Sequence, residues 1–559
     1  MLSREEALAQ LTAAGPFAME TDPATGVRRY RVMPSSFREL LLATRAHGDR
    51  PFAIYQDETV TFDGHYRQAA ALAHHLLASG VVKGDRVAIG MRNYPEWIAA
   101  FWAVQAIGAV AVALNAWWTG AELAFALNDS APAAMIIDGE RLERLGDQST
   151  RPGLRTVVVA RRGQAGAGGI DFAVVVAGPV KDLPDADVGP ADLATILYTS
   201  GTTGNPKGAM ATQSNHITNL MNTLLSGAAA RLMADLPLEP DPAAPQAGTL
   251  QTFPFFHIGG LTGLYLATAT GSKLALMYKW TPDEAVRLIE GHGLSSVSGV
   301  PIVVRQLLEA ARARGASLQS LVGVASGGAP VPPDLILRIG GQLEARASPS
   351  NGYGLTETTS AVVTNSGADY LAKPDSIGRP VATAQVRIVD AEGEEAPTGA
   401  IGELWIRGGQ VIPGYWNNPD ATEAAFGGGW FRTGDLGYVD DNGLYHVVDR
   451  MKDVIIRGGE NIYCAEVEAA LLALPGVRDA AVVGLPHPDY GEEVAAVIQV
   501  AGEDAHDRFA DGLRTALAET LARFKIPTAI RLTTDDLPRT ATGKVLKREL
   551  RGGYFAGRG

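Results

Sequence analysis

The sequence contains very little cysteine, because Cys464 is the one cysteine among its 559 residues. A single thiol excludes an internal disulfide and a cysteine zinc cluster. The formal net charge of -13 argues against nucleic acid or an anionic membrane surface as the main partner. The first ten residues, MLSREEALAQ, lack the basic and apolar regions of a signal peptide. We therefore expect a cytoplasmic protein.

One apolar stretch, Trp97 to Trp118, is long enough to span a bilayer. Gly108 divides it, with helix-like spacing of apolar residues before the glycine and an alternating pattern after it. A helix at 95–107 followed by a buried strand at 110–114 accounts for the same residues. We therefore expect no transmembrane segment here.

Helix and strand patterns alternate through the first half of the chain. Predicted strands at 86–89 and 135–138 flank the helix and strand just described, and Asp63 is predicted to cap a helix that ends near Gly80. Such alternation favours mainly parallel sheets flanked by helices. The predicted fold class is α/β, with a large N-terminal domain of several subdomains over residues 1–450.

The pattern changes after about residue 435. Asp440 to Gly443 is a turn signal between two strand-like runs. It is followed by predicted helices and strands that alternate at the length of a small domain; they lie at 466–474, 480–485, 493–500, 507–523, 528–533 and 544–551. We predict a small mobile α+β C-terminal domain over residues 451–559.

The segment from Tyr198 to Gly208, YTSGTTGNPKG, has the densest concentration of candidate functional groups. Its glycines allow backbone N–H groups to converge on an anion, its hydroxyls add donors, and Lys207 adds a positive charge. It is not a Walker loop, because Pro206 stands where that pattern needs glycine. The sequence also lacks the glycine fingerprint of dinucleotide oxidoreductases and the nucleophile elbow of hydrolases.

This segment resembles the signature loop of the adenylate-forming superfamily, which comprises acyl-CoA synthetases, peptide-synthetase adenylation domains and beetle luciferases. Five further segments resemble motifs of that superfamily in the same order; they are FFHIGG at 255–260, NGYGLTET at 351–358, TGD at 433–435, DRMKDVIIRGGEN at 449–461 and PRTATGK at 538–544. We identify the chain as a member of this superfamily on these motifs.

The resemblance implies a nucleotide site with Mg2+. The implied ATP- and AMP-binding residues are Thr199, Ser200, Gly201, Thr202, Thr203, Gly204, Lys207, Gly328, Ala329, Asn351, Gly352, Tyr353, Gly354, Thr356, Asp435 and Arg450. Glu357 supplies a hard oxygen for Mg2+, and Asp435 accepts hydrogen bonds from the ribose hydroxyls. Two alternatives stay open: Arg450 reaches the nucleotide or forms a domain-interface salt bridge, and the segment at 327–329 lies beside adenine or is an ordinary turn.

Lys544 is the implied catalytic residue, and it bridges the substrate carboxylate and the α-phosphate. The attacking nucleophile is the substrate's own oxygen, so a positioned cation is sufficient. Lys452 is the implied hinge, about which the small domain rotates between the two half-reactions. Gly458 and Gly459 allow a pantetheine arm to pass close to the backbone, although a tight turn explains them equally well.

The acyl pocket is assigned to His257, Gly259, Val300, Gly327 and Gly354. His257 is either a catalytic group beside the thiol channel or a structural histidine. The segments 253–266 and 298–304 contain no Asp, Glu, Lys or Arg. A charged substrate tail would lack a partner there, so we expect a neutral, apolar tail.

These inferences predict an AMP-forming acid–CoA ligase that uses ATP, Mg2+ and coenzyme A. A medium- or long-chain fatty acid is the leading substrate class, and an aryl or polycyclic acid is the alternative. A luciferase-like or amide-forming member of the superfamily, a peptide-synthetase module and a nucleotide-binding pseudoenzyme are rival functions. The resemblance also suggests a homodimer and a lysine acetyltransferase that acts on Lys544.

Overall fold

The computed structural model describes residues 2–163, 168–179, 182–199, 206–239, 241, 243–329, 331–343, 347–502, 505–540 and 543–556. Within those residues the strands form five sheets. The α-helices are Arg4–Ala13, Phe37–Ala43, Phe62–Ala78, Pro95–Ala106, Gly120–Ser130, Gly139–Leu145, Phe172–Val176, Gln213–Met233, Ile258–Thr270, Pro282–His292, Pro301–Arg314, Pro333–Gln342, Gly367–Ala372, Pro419–Ala425, Cys464–Leu472, Asp507–Leu517 and Lys547–Tyr554. No helix of the described segments is long and apolar enough to cross a membrane.

The first large sheet has eight strands. Their spatial order is Gly414–Tyr415, Lys207–Thr212, Leu193–Thr199, Val110–Ala113, Arg86–Gly90, Ala134–Asp138, Thr156–Ala160 and Ile170–Asp171. The two strands at the first edge are antiparallel to their neighbours, and the others are parallel.

The second large sheet has nine strands and is also parallel in its centre. Their spatial order is Arg379–Pro380, Ser360–Ser366, Ser348–Leu355, Gly323–Gly327, Ser296–Gly299, Gly248–Gln251, Lys273–Leu276, Pro51–Tyr55 and Glu58–Thr61. The largest hydrophobic cluster includes residues of both large sheets and the helix Pro95–Ala106, in which Trp97 and Trp102 are fully buried. The apolar stretch is therefore a helix and a strand inside this core, as predicted.

Three smaller sheets complete the fold. One contains Ala384–Val389, Gly402–Gly408, Trp430–Val439, Phe426–Gly427 and Tyr445–Arg450. The C-terminal one contains Glu460–Ile462, Ile455–Arg457, Gly491–Val500, Val477–His487 and Ala529–Thr533. An N-terminal hairpin pairs Met19–Thr21 with Arg28–Tyr30. The predicted α/β class, with mainly parallel sheets and a smaller α+β unit after them, is confirmed.

Some local predictions were wrong. Thr61 rather than Asp63 caps the helix Phe62–Ala78, and its hydroxyl accepts from the N–H of Gly64 at 3.0 Å. Both residue types can cap a helix, but here the strand Glu58–Thr61 leaves Thr61 in the extended conformation that a cap requires. The helix predicted at 507–523 ends at Leu517, and the last helix begins at Lys547 instead of 544.

Candidate active site

Predicted nucleotide and acyl-pocket residues lie at the ends of parallel strands in the two large sheets. Thr199 is the last residue of one strand and Gly327 of another, and Gly327 pairs with Gly352 on the neighbouring strand. A Cβ atom on Gly354 would lie 1.9 Å from the carbonyl oxygen of Ser360. Close backbone packing therefore requires that glycine whether or not a ligand is bound.

Strand pairing brings a carboxylate, a phenol and a guanidinium together. The hydroxyl of Tyr353 donates to Oδ2 of Asp435 at 2.7 Å, and Nε of Arg450 lies 2.6 Å from Oδ1. Asp435 and Arg450 face each other on the antiparallel strands Trp430–Val439 and Tyr445–Arg450. The ion pair of Arg450 is thus formed within one sheet. A carboxylate accepts up to about four hydrogen bonds, so Asp435 retains capacity for ribose hydroxyls.

Burial dominates the electrostatics of this group. It raises the pKa of the Asp435 carboxyl, although Arg450 and the Tyr353 hydroxyl oppose the shift. Burial, and then the negative charge of Asp435, raise the pKa of Tyr353 well above its usual range. Tyr353 therefore stays protonated and continues to donate to Asp435.

Glu357, the predicted Mg2+ ligand, lies in the short 3-10 helix Thr356–Thr358 and is 9% exposed. Its Oε1 accepts a hydrogen bond of 2.8 Å from the hydroxyl of Tyr415. Among the described residues, no hydrogen bond to Oε2 is found. Tyr415 thus fixes one carboxylate oxygen of Glu357, and the other has no donor among the described residues. A carboxylate oxygen of this kind suits a hard divalent cation. Glu357 would then hold Mg2+, which neutralises phosphate charge.

Tyr415 also contacts the predicted phosphate lysine, because Nζ of Lys207 lies 5.0 Å from the centroid of its ring. Sequence analysis missed this tyrosine. Tyr415 and Glu357 are 58 positions apart, and no spacing rule connects them. Ser200, Gly201, Thr202, Thr203 and Gly204 of the same predicted site lie outside the described residues.

Lys544 of the C-terminal unit faces this cluster. Asp435, Glu357 and Arg450 all influence the charge of its side chain, which is solvent-accessible in the cleft although protein encloses it on several sides. The N–H of Gly543 donates to the carbonyl of Thr540 at 2.9 Å, and the N–H of Lys544 donates to the hydroxyl of Thr540 at 3.1 Å. The structure therefore brings together the predicted catalytic lysine and nucleotide residues.

The enclosing protein, and then the positive charge of Arg450, lower the pKa of Lys544, while Asp435 and Glu357 oppose the shift. If adenylation needs the charged lysine, kcat/KM for ATP should be at its maximum below the pKa of Lys544. The value of kcat/KM should fall as pH rises through that pKa, which lies below the value of about 10.4 for an ordinary lysine. Pyrophosphate exchange across pH 7 to 11 measures this. A flat profile across the whole range would contradict the assigned role.

His257 caps the helix Ile258–Thr270, and its Nδ1 accepts from the N–H of Gly259 at 3.1 Å. Burial, and then the charge of Lys544, lower the pKa of His257 to about 4. The ring is therefore neutral at pH 7, and its proton is on Nε2 because Nδ1 is an acceptor. The capping contact supports a structural role, and a catalytic role for His257 stays a prediction.

Phe253, Val300 and Gly328 define an apolar slot beside these groups. The rings of Phe253 and His257 are inclined by 20° with centroids 6.0 Å apart. A Cβ atom on Gly328 would lie 3.7 Å from both Phe253 and Val300. Gly543 closes the slot from the C-terminal side, since its own Cβ would lie 2.7 Å from Val300.

A cavity of about 520 Å³ extends from Phe253 and Val300 and lies between the N-terminal and C-terminal units. Arg92 and Lys279 are among its lining residues, so the uncharged composition predicted for the pocket segments does not extend to the whole cavity. The Arg92 guanidinium stacks 3.5 Å from the ring centroid of Trp117, and its buried Nε has no hydrogen-bond partner among the described residues. Sequence analysis missed Arg92, because nothing in the neighbouring sequence shows that its guanidinium packs on Trp117.

The predicted CoA glycines lie on the turn between strands Ile455–Arg457 and Glu460–Ile462. Gly458 and Gly459 have φ angles of 61° and 88°. A Cβ on Gly459 would meet no atom of the described residues within 4 Å. A tight turn is therefore sufficient to explain both glycines in this structure, and their role in a coenzyme A channel stays a prediction. Lys452, the predicted hinge, lies in the short 3-10 turn Met451–Asp453.

Comparison with known proteins shows the family of this chain. The family model "AMP-binding enzyme" matches residues 42–416, and "AMP-binding enzyme C-terminal domain" matches residues 466–544. The chain is 37% identical over 486 residues to a feruloyl-CoA synthase of an Amycolatopsis species, which covers 87% of this chain and 92% of the relative. It is 33% identical over 505 residues to a 2-succinylbenzoate–CoA ligase of Bacillus velezensis, covering 90% and 95%.

A solved structure of similar fold is the o-succinylbenzoate CoA synthetase of Bacillus subtilis bound to its acyl-adenylate intermediate. It is 29% identical with a TM-score of 0.77, and the match covers 93% of this chain and 98% of that chain. The chain belongs to the AMP-binding enzyme family, and the predicted membership in the adenylate-forming superfamily is confirmed. It is an AMP-forming acid–CoA ligase, and its co-substrates and metal are ATP, coenzyme A and Mg2+.

Proposed function

We propose that this ligase activates a neutral aromatic carboxylic acid, the alternative to a fatty acid in the sequence analysis. The observation that carries the proposal is the apolar slot formed by Phe253, Val300 and Gly328. Phe253 offers an aromatic face, and Gly328 places no side chain beside it, since a Cβ there would already contact Phe253 and Val300 at 3.7 Å. An apolar surface with an aromatic face suits a flat ring, since aromatic pairs favour offset stacking. The feruloyl and 2-succinylbenzoyl substrates in the names of the relatives are both aromatic acids.

These two aromatic acids differ in the number of carboxylates they carry. A 2-succinylbenzoate molecule carries a second carboxylate, and a ferulate molecule carries one. The segments 253–266 and 298–304 around the slot contain no Lys or Arg to pair with a second carboxylate. Burial of an unpaired charge is costly, so these segments favour a monocarboxylate with a neutral tail.

Arg92 and Lys279 have a different role in this proposal. They line the same cavity as Phe253 and Val300, and the Arg92 guanidinium lies over the rings of Trp117 and Tyr278 with centroid distances of 3.5 and 4.9 Å. Phosphate groups are the anions that coenzyme A brings to the enzyme, and Arg and Lys bind phosphates well. We assign this cavity to the approach of coenzyme A.

A CoA-dependent substrate series tests the proposal. We expect the highest kcat/KM for a neutral cinnamate- or benzoate-type acid, with 2-succinylbenzoate and a medium-chain fatty acid each at least about tenfold lower, since one misfit group changes discrimination by about this factor or more. AMP and acyl-CoA formation are both measured for each acid. The highest value for the fatty acid or for the dicarboxylate would contradict the assignment.

Acetylation of Lys544 and a homodimer stay predictions. Acetylation would remove the charge of the lysine and should reduce adenylation.

A further inference from the structure

Tyr415 occupies the edge of the eight-stranded sheet, next to the strand that begins with Lys207. Gly414 and Tyr415 pair with Met210 and Ala209. The N–H of Tyr415 donates to the hydroxyl of Thr422 at 2.9 Å, and the residue is 6% exposed. Its backbone and ring are therefore fixed independently of any nucleotide.

The hydroxyl of Tyr415 is committed to Glu357. It donates to Oε1 at 2.8 Å, and the backbone carbonyl of Glu357 accepts from the N–H of Ile412 at 2.9 Å. The same short segment thus holds both the backbone and the side chain of Glu357. An ordinary phenol has a pKa of about 10, so the hydroxyl is a donor at physiological pH.

The ring of Tyr415 has a second polar partner. Nζ of Lys207 lies 5.0 Å from the ring centroid, within the range of a cation–π contact. One side chain therefore contacts an acidic group through its hydroxyl and a basic group through its π face. The distance between those two groups is consequently set by a rigid phenol.

We propose that Tyr415 is a positioning residue that holds Glu357 and Lys207 at the spacing needed to bind Mg2+ and the ATP phosphates together. The proposal rests on the proposed roles of those two residues. Groups that orient metal ligands commonly change metal affinity or activity by about 10- to 100-fold when they are removed.

The ring of Tyr415 also packs in a small core with Ala209, Ala211 and Ile412. A purely structural role must therefore be separated from a positioning role. Tyr415→Phe keeps the ring and removes the hydroxyl. Tyr30→Phe is a matched control, because Tyr30 is also 6% exposed and its hydroxyl donates to Asn222 at 2.9 Å in a different part of the protein.

The test is calorimetric titration of the full-length protein with AMP and with ATP at several Mg2+ concentrations. For Tyr415→Phe we expect the apparent affinity for Mg2+ in the presence of ATP to fall about 10-fold or more, as for other metal-orienting groups. Affinity for AMP without Mg2+ and the thermal midpoint should match those of Tyr30→Phe. Equal Mg2+ affinities for the two variants would overturn the proposal.

Glu357→Gln distinguishes failure of this inference from failure of the site assignment. If the hydroxyl acts through Glu357, Tyr415→Phe should add little to the loss of Mg2+ affinity already caused by Glu357→Gln. Additive losses would overturn the positioning role while leaving Glu357 as a ligand. Undiminished Mg2+ affinity in Glu357→Gln would overturn both the ligand assignment and the role of Tyr415.

Discussion

Lys544→Ala should slow acyl-adenylate formation by about a hundredfold or more, because loss of one preorganised charge at the reacting centre commonly has this effect. In the structure the negative charges of Asp435 and Glu357 act on the Lys544 side chain, and the N–H of Lys544 donates to the hydroxyl of Thr540 at 3.1 Å. Conversion of a supplied acyl-adenylate to acyl-CoA should be largely retained if the C-terminal unit rotates about Lys452 between the steps. Pyrophosphate exchange and single-turnover thioester formation measure the two steps separately.

Lys525→Ala is the matched control. Nζ of Lys525 binds both carboxylate oxygens of Glu466 at 2.7 Å within the C-terminal unit, so its removal deletes a lysine that does not face the cleft. It should change neither step by more than a few fold. Equal losses in both steps for Lys544→Ala, in protein with an unchanged thermal midpoint, would contradict a rotation of the C-terminal unit between the two steps.

Gly459→Leu should have the opposite effect, with adenylation retained and transfer to coenzyme A reduced. If the leucine side chain fills the pantetheine path, the reduction should be about tenfold or more, as for other misplaced groups at a reacting centre. Within the part of the chain that the structure describes, no atom lies within 4 Å of a Cβ at this position, so the leucine has room in this arrangement. The same two assays measure the effect.

Gly459→Ala separates obstruction from backbone strain. The φ angle of 88° disfavours alanine and leucine alike, but only leucine extends far from the backbone. A transfer rate reduced in the leucine variant and near wild type in the alanine variant is the expected result. Equal reductions of the transfer rate in both variants would show that backbone strain in the turn causes the loss. They would contradict a pantetheine channel at Gly459.

The α/β fold class and most predicted elements could be obtained from local sequence patterns. The strands at 86–90 and 134–138 and the helix at 95–106 lie within a residue of their predicted bounds. Boundaries failed where several residues could serve as the cap, as at Thr61 and Asp63, because the preceding strand decides which one is extended.

Candidate site residues were predicted where one motif carried the side chain, as for Lys544, Asp435 and Glu357. Tyr415 and Arg92 were missed, since each acquires its importance from a partner distant in sequence. A phenol beside a carboxylate or a guanidinium on an indole depends on strand register and helix placement. Neither leaves a periodic signal in the chain.

The sequence by itself determined the class of this protein, because each motif contains its glycines, hydroxyls and charged groups within a few consecutive residues. Only the tertiary structure decided that Arg450 pairs with Asp435 inside one sheet, that His257 is neutral, and that positive side chains line the wider cavity. These properties arise from burial and from contacts between strands far apart in the chain. Both are consequences of packing, which no single segment encodes.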